Sequence, residues 1–251
     1  MDTQKLMDAA CPAISDNGWL YYFDPATVAR GEGLGLDTFE FYFLGRGGVL
    51  GNVEPAVVMS AFGYFNPAVV AMMWDAGRAK LDPRTAGREF FAAAHEFGRH
   101  KLTGADDLEG FVRAATKVID HAKEQVAGLS LFAAAAAEPV PEDAPAAAMH
   151  QLAVLRELRG SAHLLAVVAV GLDTKVAHFI HRPGMFTTFG WSEPGPTVTD
   201  ADTAALRAAN ELTDRLIAPA YAVLDDDDAA ALLAGLDSIV PRLGGGTIPT
   251  T

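Results

Sequence analysis

Residues 149–171, MHQLAVLRELRGSAHLLAVVAVG, set Arg156, Glu157, Arg159 and His163 inside an otherwise apolar helical pattern. A purely structural helix keeps such groups on its solvent face. Spacings of three and four residues place Arg156, Arg159 and His163 along one face, with Glu157 about 100° away. Two forked guanidinium groups beside an imidazole suit a carboxylate or phosphate on a small ligand, and the histidine can act as acid or base near neutral pH. His163 and Glu157 are therefore the candidate catalytic residues, and Arg156 and Arg159 candidate ligand-binding ones. The competing reading is a buried salt-bridge network with Glu157 or an aspartate as the partner.

Other groups fall around this constellation. Arg46 precedes a glycine cluster in FYFLGRGGVLG and is expected to approach the same cavity. His150 lies at the start of the charged helix. His178 and His181 share a face of the next helix, which a turn at Gly171 could fold back toward His163. Three histidines with a carboxylate would suit Zn²⁺ or Fe²⁺. Zinc-protease spacing and cysteine ligands are missing, so no metal site is assigned and no cofactor is named. His95, His100 and His121 read as surface residues. Trp191 and Trp74 are candidate walls for a cavity, although large aromatics, Tyr42 and Tyr64 included, are core residues more often.

The elements that must position these groups are helices. Asn52, Asn66-Pro67 and Asp82-Pro83 mark three successive helix starts, and a helix over about 106–126 carries one apolar stripe. The proline-rich acidic stretch 138–145 separates two alanine-rich helical segments and reads as a linker. Asp200 is expected to cap a long helix to about Tyr221. GMFTTFGW, with threonines and aromatics between glycines, is the one β-like run.

The chain has 251 residues, half of them apolar, enough for a sizeable core. No apolar run reaches membrane-spanning length, and the N-terminus lacks a basic region followed by an apolar one, so a cytoplasmic protein with no membrane partner is expected. One cysteine, Cys11, agrees with a reducing compartment. The formal charge of −13 opposes nucleic-acid binding, which needs a basic face. GxGxxG at a strand-to-helix junction, GxxxxGK[ST] and GxSxG are all absent, which excludes ordinary dinucleotide, nucleoside-triphosphate and serine-hydrolase chemistry.

An internal similarity runs through the chain. LGRGGVLGNVEPAVVMSAFGYFNPAVVAMMW aligns loosely with LRGSAHLLAVVAVGLDTKVAHFIHR, pairing Arg46 with Arg159, and RAATKVID at Arg113 matches RAANELTD at Arg207. The second copy is shorter by 19 residues, the difference between separations of 113 and 94.

FYFLGRGGVLG, FGYFNPAVVA, GLSLFAAAAAEPVP, the charged helix, and FGWSE followed by LTDRLIAPAYAVL resemble an actinobacterial family of helix-turn-helix or MarR-like proteins across residues 20–235. The most specific piece is His150 with Arg156-Glu157, Arg159-Gly160 and His163, which match the family's H-x5-RE-x-RG-x2-H pattern. The resemblance implies a winged helix-turn-helix with a recognition helix after FGWSE. Here nine residues pass from Trp191 to Asp200, and prolines deny that segment a helix. The DNA-reading part is therefore expected to be absent, and fold does not carry function across such a loss.

The expected architecture is all-α, with two related helical halves, degenerate winged-helix-like, and a small β-ribbon remnant at 186–191. The halves are 1–137 and 146–251, joined by the linker 138–145. The expected function is a small-molecule-binding protein, an enzyme of actinobacterial specialised metabolism being one form of it. Its pocket between the halves would bind an anionic group through Arg46, Arg156 and Arg159, with His163 as proton donor or acceptor and His150, His181 and Trp191 nearby. DNA is not expected as a partner, and a homodimer is left open. The alternative is a MarR-like ligand-responsive regulator; a partner-binding helical module is a third reading.

Overall fold

A computed structural model describes residues 1–244, and the last residues of the expected C-terminal half, 245–251, lie outside the described residues. Twelve α-helices follow one another among the described residues: α1 (Thr3–Asn17), α2 (Pro25–Gly33), α3 (Thr38–Gly48), α4 (Pro55–Phe62), α5 (Pro67–Arg78), α6 (Pro83–Leu102), α7 (Leu108–Ala122), α8 (Ser130–Ala135), α9 (Ala144–Ala169), α10 (Thr174–His181), α11 (Asp200–Tyr221) and α12 (Asp226–Leu243). None of them is long and apolar enough to cross a membrane.

Much of the acidic excess is spent on starting these helices. Side-chain oxygens of Asp2, Asp24, Asp37, Asp82, Asp143, Asp173 and Asp225 accept backbone N–H groups of the following first turns. Carboxylates there satisfy donors the helix leaves open and complement its dipole. Asn66 caps α5, and α5 and α6 start on Pro67 and Pro83 as expected. Two caps differ. Glu54, not Asn52, stands at the start of α4, where Pro55 fixes the first turn without a side-chain cap. Thr199, not Asp200, caps α11, because its hydroxyl and Asp202 form a reciprocal capping box.

The expected β-ribbon at 186–191 is corrected to a chain of turns, and no strand occurs among the described residues. The backbone closes on itself there: Phe189 N donates to Met185 O at 3.1 Å and Gly190 N to Thr187 O at 2.8 Å. Among the described residues no second segment pairs with it in a ladder, and Gly190 takes a positive φ near the end of the run.

Helix α9 is the axis of the molecule: every residue from Ala146 to Leu155 is buried, and α1, α6, α7, α8, α10 and α11 pack on it. One apolar cluster runs from Leu6 on α1 to Leu243 on α12. The stretch 138–145 is pinned at both ends, by Arg84 to Glu138 at 2.6 Å and by Arg99 to Asp143 at 2.7 Å. Two glycines permit the contacts that matter most. A Cβ on Gly48 would sit 2.0 Å from the carbonyl of Pro83, so α3 and α6 meet backbone to backbone. A Cβ on Gly18 would sit 2.8 Å from Leu152 O and Arg156 Cβ, so the turn after α1 lies directly against α9 beside the first candidate arginine.

Candidate functional site

The charged groups of α9 do not converge on one cavity; they separate into two environments. Glu157 and Arg156 belong to the first, with Arg46 reaching in from α3. Arg46 donates to Glu157 through Nε at 2.9 Å and Nη2 at 2.8 Å, a two-pronged pair. The Tyr22 hydroxyl donates to Glu157 at 2.9 Å and accepts Arg156 Nη1 at 3.1 Å, and Arg156 Nη1 also reaches Glu157 at 3.1 Å. Burial alone would raise the Glu157 carboxyl, but Arg46 and Arg156 outweigh it and hold it at about 2. Glu157, a candidate catalytic residue, is thus ionised with its acceptor capacity used within the protein. Arg46 is likewise committed: besides Glu157 it donates to the Tyr42 hydroxyl at 3.2 Å, and its guanidinium lies over the Phe62 ring at 4.5 Å.

Arg159 and His163 turn the other way, toward α11. Arg159 is 3.7 Å from Asp214. His163 Nδ1 is 3.0 Å from the Thr213 hydroxyl, which itself donates to Ala209 O at 2.7 Å. Thr213 therefore accepts from His163, which places the imidazole proton on Nδ1 and leaves Nε2 as the basic atom. Burial, then Arg159, then His181 push His163 down to about 4, so it is neutral at physiological pH. Tyr64 stacks beside His163 at 6.3 Å and lies 6.5 Å from His178. His178 is buried against Phe189 at 3.9 Å, whereas His181 is exposed. Among the described residues no group of three or more His, Cys, Asp or Glu is placed to hold a metal ion.

His150 lies in a third place. Its Nδ1 is 3.1 Å from His95 Nε2, and burial pushes the two imidazoles down to about 3 and about 4. His95, expected at the surface, is half-buried because it meets His150 across the α6–α9 contact. Trp191 donates its indole N–H to Tyr64 O at 2.9 Å and stacks on Phe186, and Trp74 is fully buried and donates to Val53 O.

The pocket beside Arg156 is built mainly from residues that the sequence reading assigned to packing. Seven aromatic side chains line it: Trp19, Tyr22 and Phe23 from the turn after α1, Phe39 and Tyr42 from α3, Phe65 from the α4–α5 turn, and Phe189. Arg156, Arg182 and Thr188 complete the wall of this pocket, which is partly open to solvent. Phe65 and Phe189 stack at 4.0 Å, while Phe23 packs on Tyr42 at 5.3 Å and on Phe39 at 5.8 Å. Asn66 fixes the lower edge: its N–H donates to Phe189 O and its side chain to Gly190 O, both at 2.9 Å.

The two arginines here have donors to spare. Arg156 uses only Nη1, and the Arg182 guanidinium makes no hydrogen bond and no ion pair within 4 Å among the described residues. Burial and then the nearby Arg156 charge lower the Arg182 guanidinium from its ordinary value, partly offset by Asp16. A partly desolvated cation beside a second cation is unfavourable until an anion joins them. The sequence signals for this pocket were the WLYYF run against FEFYF, and an arginine held before Pro183-Gly184 at the end of α10.

A helix-turn-helix arrangement is also present in the first part of the chain. Helices α4 and α5 are joined by the four residues Gly63 to Asn66, and Gly63 takes a positive φ of 64°. The outward residues of α5 are Pro67, Ala68, Met72 and Asp75. Its one arginine, Arg78, is tied to Asp75 at 2.8 Å and to Val53 O at 3.3 Å. None of the outward residues of this helix is basic, so its exposed face carries no cation of its own for a phosphate.

A protein-family model described as a helix-turn-helix family matches residues 9–194 of the chain. The match takes in most of α1, all of α2 to α10 and the aromatic pocket, and ends before α11. No curated protein and no solved structure matches the chain.

Proposed function

This chain belongs to that helix-turn-helix family, and we propose that it is a small-molecule-binding protein whose aromatic pocket takes an anionic ligand on Arg156 and Arg182. The observation that carries the reading is the Arg182 guanidinium, partly buried and without a counter-charge, beside the spare donors of Arg156. Relative to the sequence-based assignment, Arg182 replaces Arg46 and Arg159 as partner of the anion, because Arg46 is paired with Glu157 and Arg159 lies toward Asp214 on α11, and neither lines the pocket. The Arg46–Glu157–Tyr22 network then acts as the frame that holds Arg156 in place. We read the chain as two related helical halves in which α4–α5 and α9–α10 are equivalent helix-turn-helix units. An enzyme of actinobacterial specialised metabolism is one form such a binding protein can take.

The test is thermal unfolding with benzoate and hexanoate at millimolar concentration. Saturation to ten times Kd should stabilise the protein by about 1.4 kcal/mol, a rise of about 3 °C in Tm. Arg182→Gln should fold normally and lose that rise; an undiminished rise in the variant would remove Arg182 from the site.

A second reading, a MarR-like ligand-responsive regulator, is favoured by family membership and by the α4–α5 pair. Against it stand the net charge of −13 and an outward face of α5 that carries no basic residue. Retention of duplex DNA that weakens steeply with salt would support this reading, and no retention at low salt would sink it.

A further inference from the structure

We infer that the ligand is a flat aromatic monocarboxylate, with its ring among the aromatic side chains of the pocket and its carboxylate across Arg156 and Arg182; this rests on reading the pocket as an anion site. Three features of the pocket select this class.

The first is the wall. Trp19, Phe23, Phe39, Phe65 and Phe189 come from four separate segments, so ring faces and edges are presented from several directions. Aromatic rings gain from offset and edge-to-face contact beyond the area they bury, which a saturated ring of similar size does not. An aromatic box often receives a cation. Here no carboxylate lines the box and two guanidinium groups do, so a cationic ligand is repelled.

The second is charge. Arg46 and Arg156 share Glu157, and Arg182 has no carboxylate partner, so an anion is favoured between the two guanidinium groups that line the box. Glu157 already stands 3.1 Å from Arg156 Nη1, so a phosphate monoester would carry its second negative charge toward a carboxylate in place.

The third is shape. Arg156 keeps Nε and Nη2 and Arg182 keeps its whole guanidinium for an incoming group. Planar forks of this kind match the two oxygens of a planar carboxylate.

The experiment is calorimetric titration of the full chain with four matched probes: benzoate, cyclohexanecarboxylate, benzamide and phenyl phosphate. Benzoate is expected to bind about tenfold tighter than cyclohexanecarboxylate. Benzamide, without the charge, and phenyl phosphate, with too much of it, are expected to be weaker still. Phe189→Leu keeps an apolar wall but removes a ring, and should narrow the gap between benzoate and cyclohexanecarboxylate; Phe23→Leu serves the same purpose if Phe189→Leu misfolds. Cyclohexanecarboxylate equal to or tighter than benzoate would overturn the aromatic assignment while leaving the anion site standing. Phenyl phosphate tighter than benzoate would overturn the monoanion assignment in the same limited way. Benzamide as tight as benzoate, or no binding by any probe, would overturn the anion site and this inference together.

Discussion

Replacing Glu157 by Gln should separate a structural frame from a reacting group. The Glu157 side chain is 8% exposed and that of Arg46 13%, so solvent does little to screen them. A carboxyl held at about 2 rather than 4.5 reflects about 3 kcal/mol of favourable interaction with its partners. The amide keeps the shape but leaves the Arg46 guanidinium buried without a counter-charge, a change that costs about 3 to 5 kcal/mol in comparable buried pairs. For 251 residues this is a fall of about 6 to 10 °C in Tm. Thermal melting followed by circular dichroism reads it directly. The double variant Arg46→Met with Glu157→Leu, which removes both charges, should recover part of the loss, so the two sites should be strongly non-additive. A Glu157→Gln protein that melts within about 2 °C of the parent and nevertheless loses ligand binding would show that Glu157 faces the ligand and is not part of the frame.

Three further outcomes follow from the same structure. His150, His95, His163 and His178 all titrate below 6.5 in the folded protein, so the unfolded chain binds more protons. Their contribution is fully present above about pH 6.5 and is lost as pH falls toward about 4 and then about 3; urea midpoints measured across that range should fall steadily, and a midpoint that rises on acidification would contradict it. Gly48→Ala forces a Cβ to within 2.0 Å of Pro83 O and should destabilise the fold by about 2 kcal/mol or more in urea denaturation; a neutral result would mean that α3 and α6 are not in backbone contact. Gly18→Ala, whose Cβ would meet Arg156 Cβ and Leu152 O at 2.8 Å, should weaken benzoate binding more than it lowers Tm, because it displaces the turn that carries Trp19, Tyr22 and Phe23.

Helix content was legible in the sequence because the chain writes its starts in caps and prolines: Asn66-Pro67 and Asp82-Pro83 mark the first turns of α5 and α6. The turns at 186–191 were not, since a run of threonine and aromatic residues carries the same local signal whether or not a second strand is beside it. The site was half legible. Arg156 was visible as a charge in an apolar helix, yet spacing along α9 could not show that Arg159 and His163 lean toward Asp214 and Thr213 while Arg156 and Glu157 share Tyr22. Long side chains reach across the angle that separates neighbours on a helix. Arg182 looked like a helix stop before Pro183-Gly184; only tertiary packing of α10 against α9 brings it beside Arg156.

An anion held in the aromatic pocket should be visible in the indole N–H signals of a ¹H–¹⁵N spectrum during titration with benzoate. The chain has three tryptophans, of which Trp19 alone lines the pocket, while the Trp74 indole is bonded to Val53 O and that of Trp191 to Tyr64 O. A saturable shift of the Trp19 signal is expected, with a fixed Trp74 signal and loss of the Trp19 response in Arg182→Gln. A Trp19 signal that stays in place while benzoate binds would put the ligand outside this pocket.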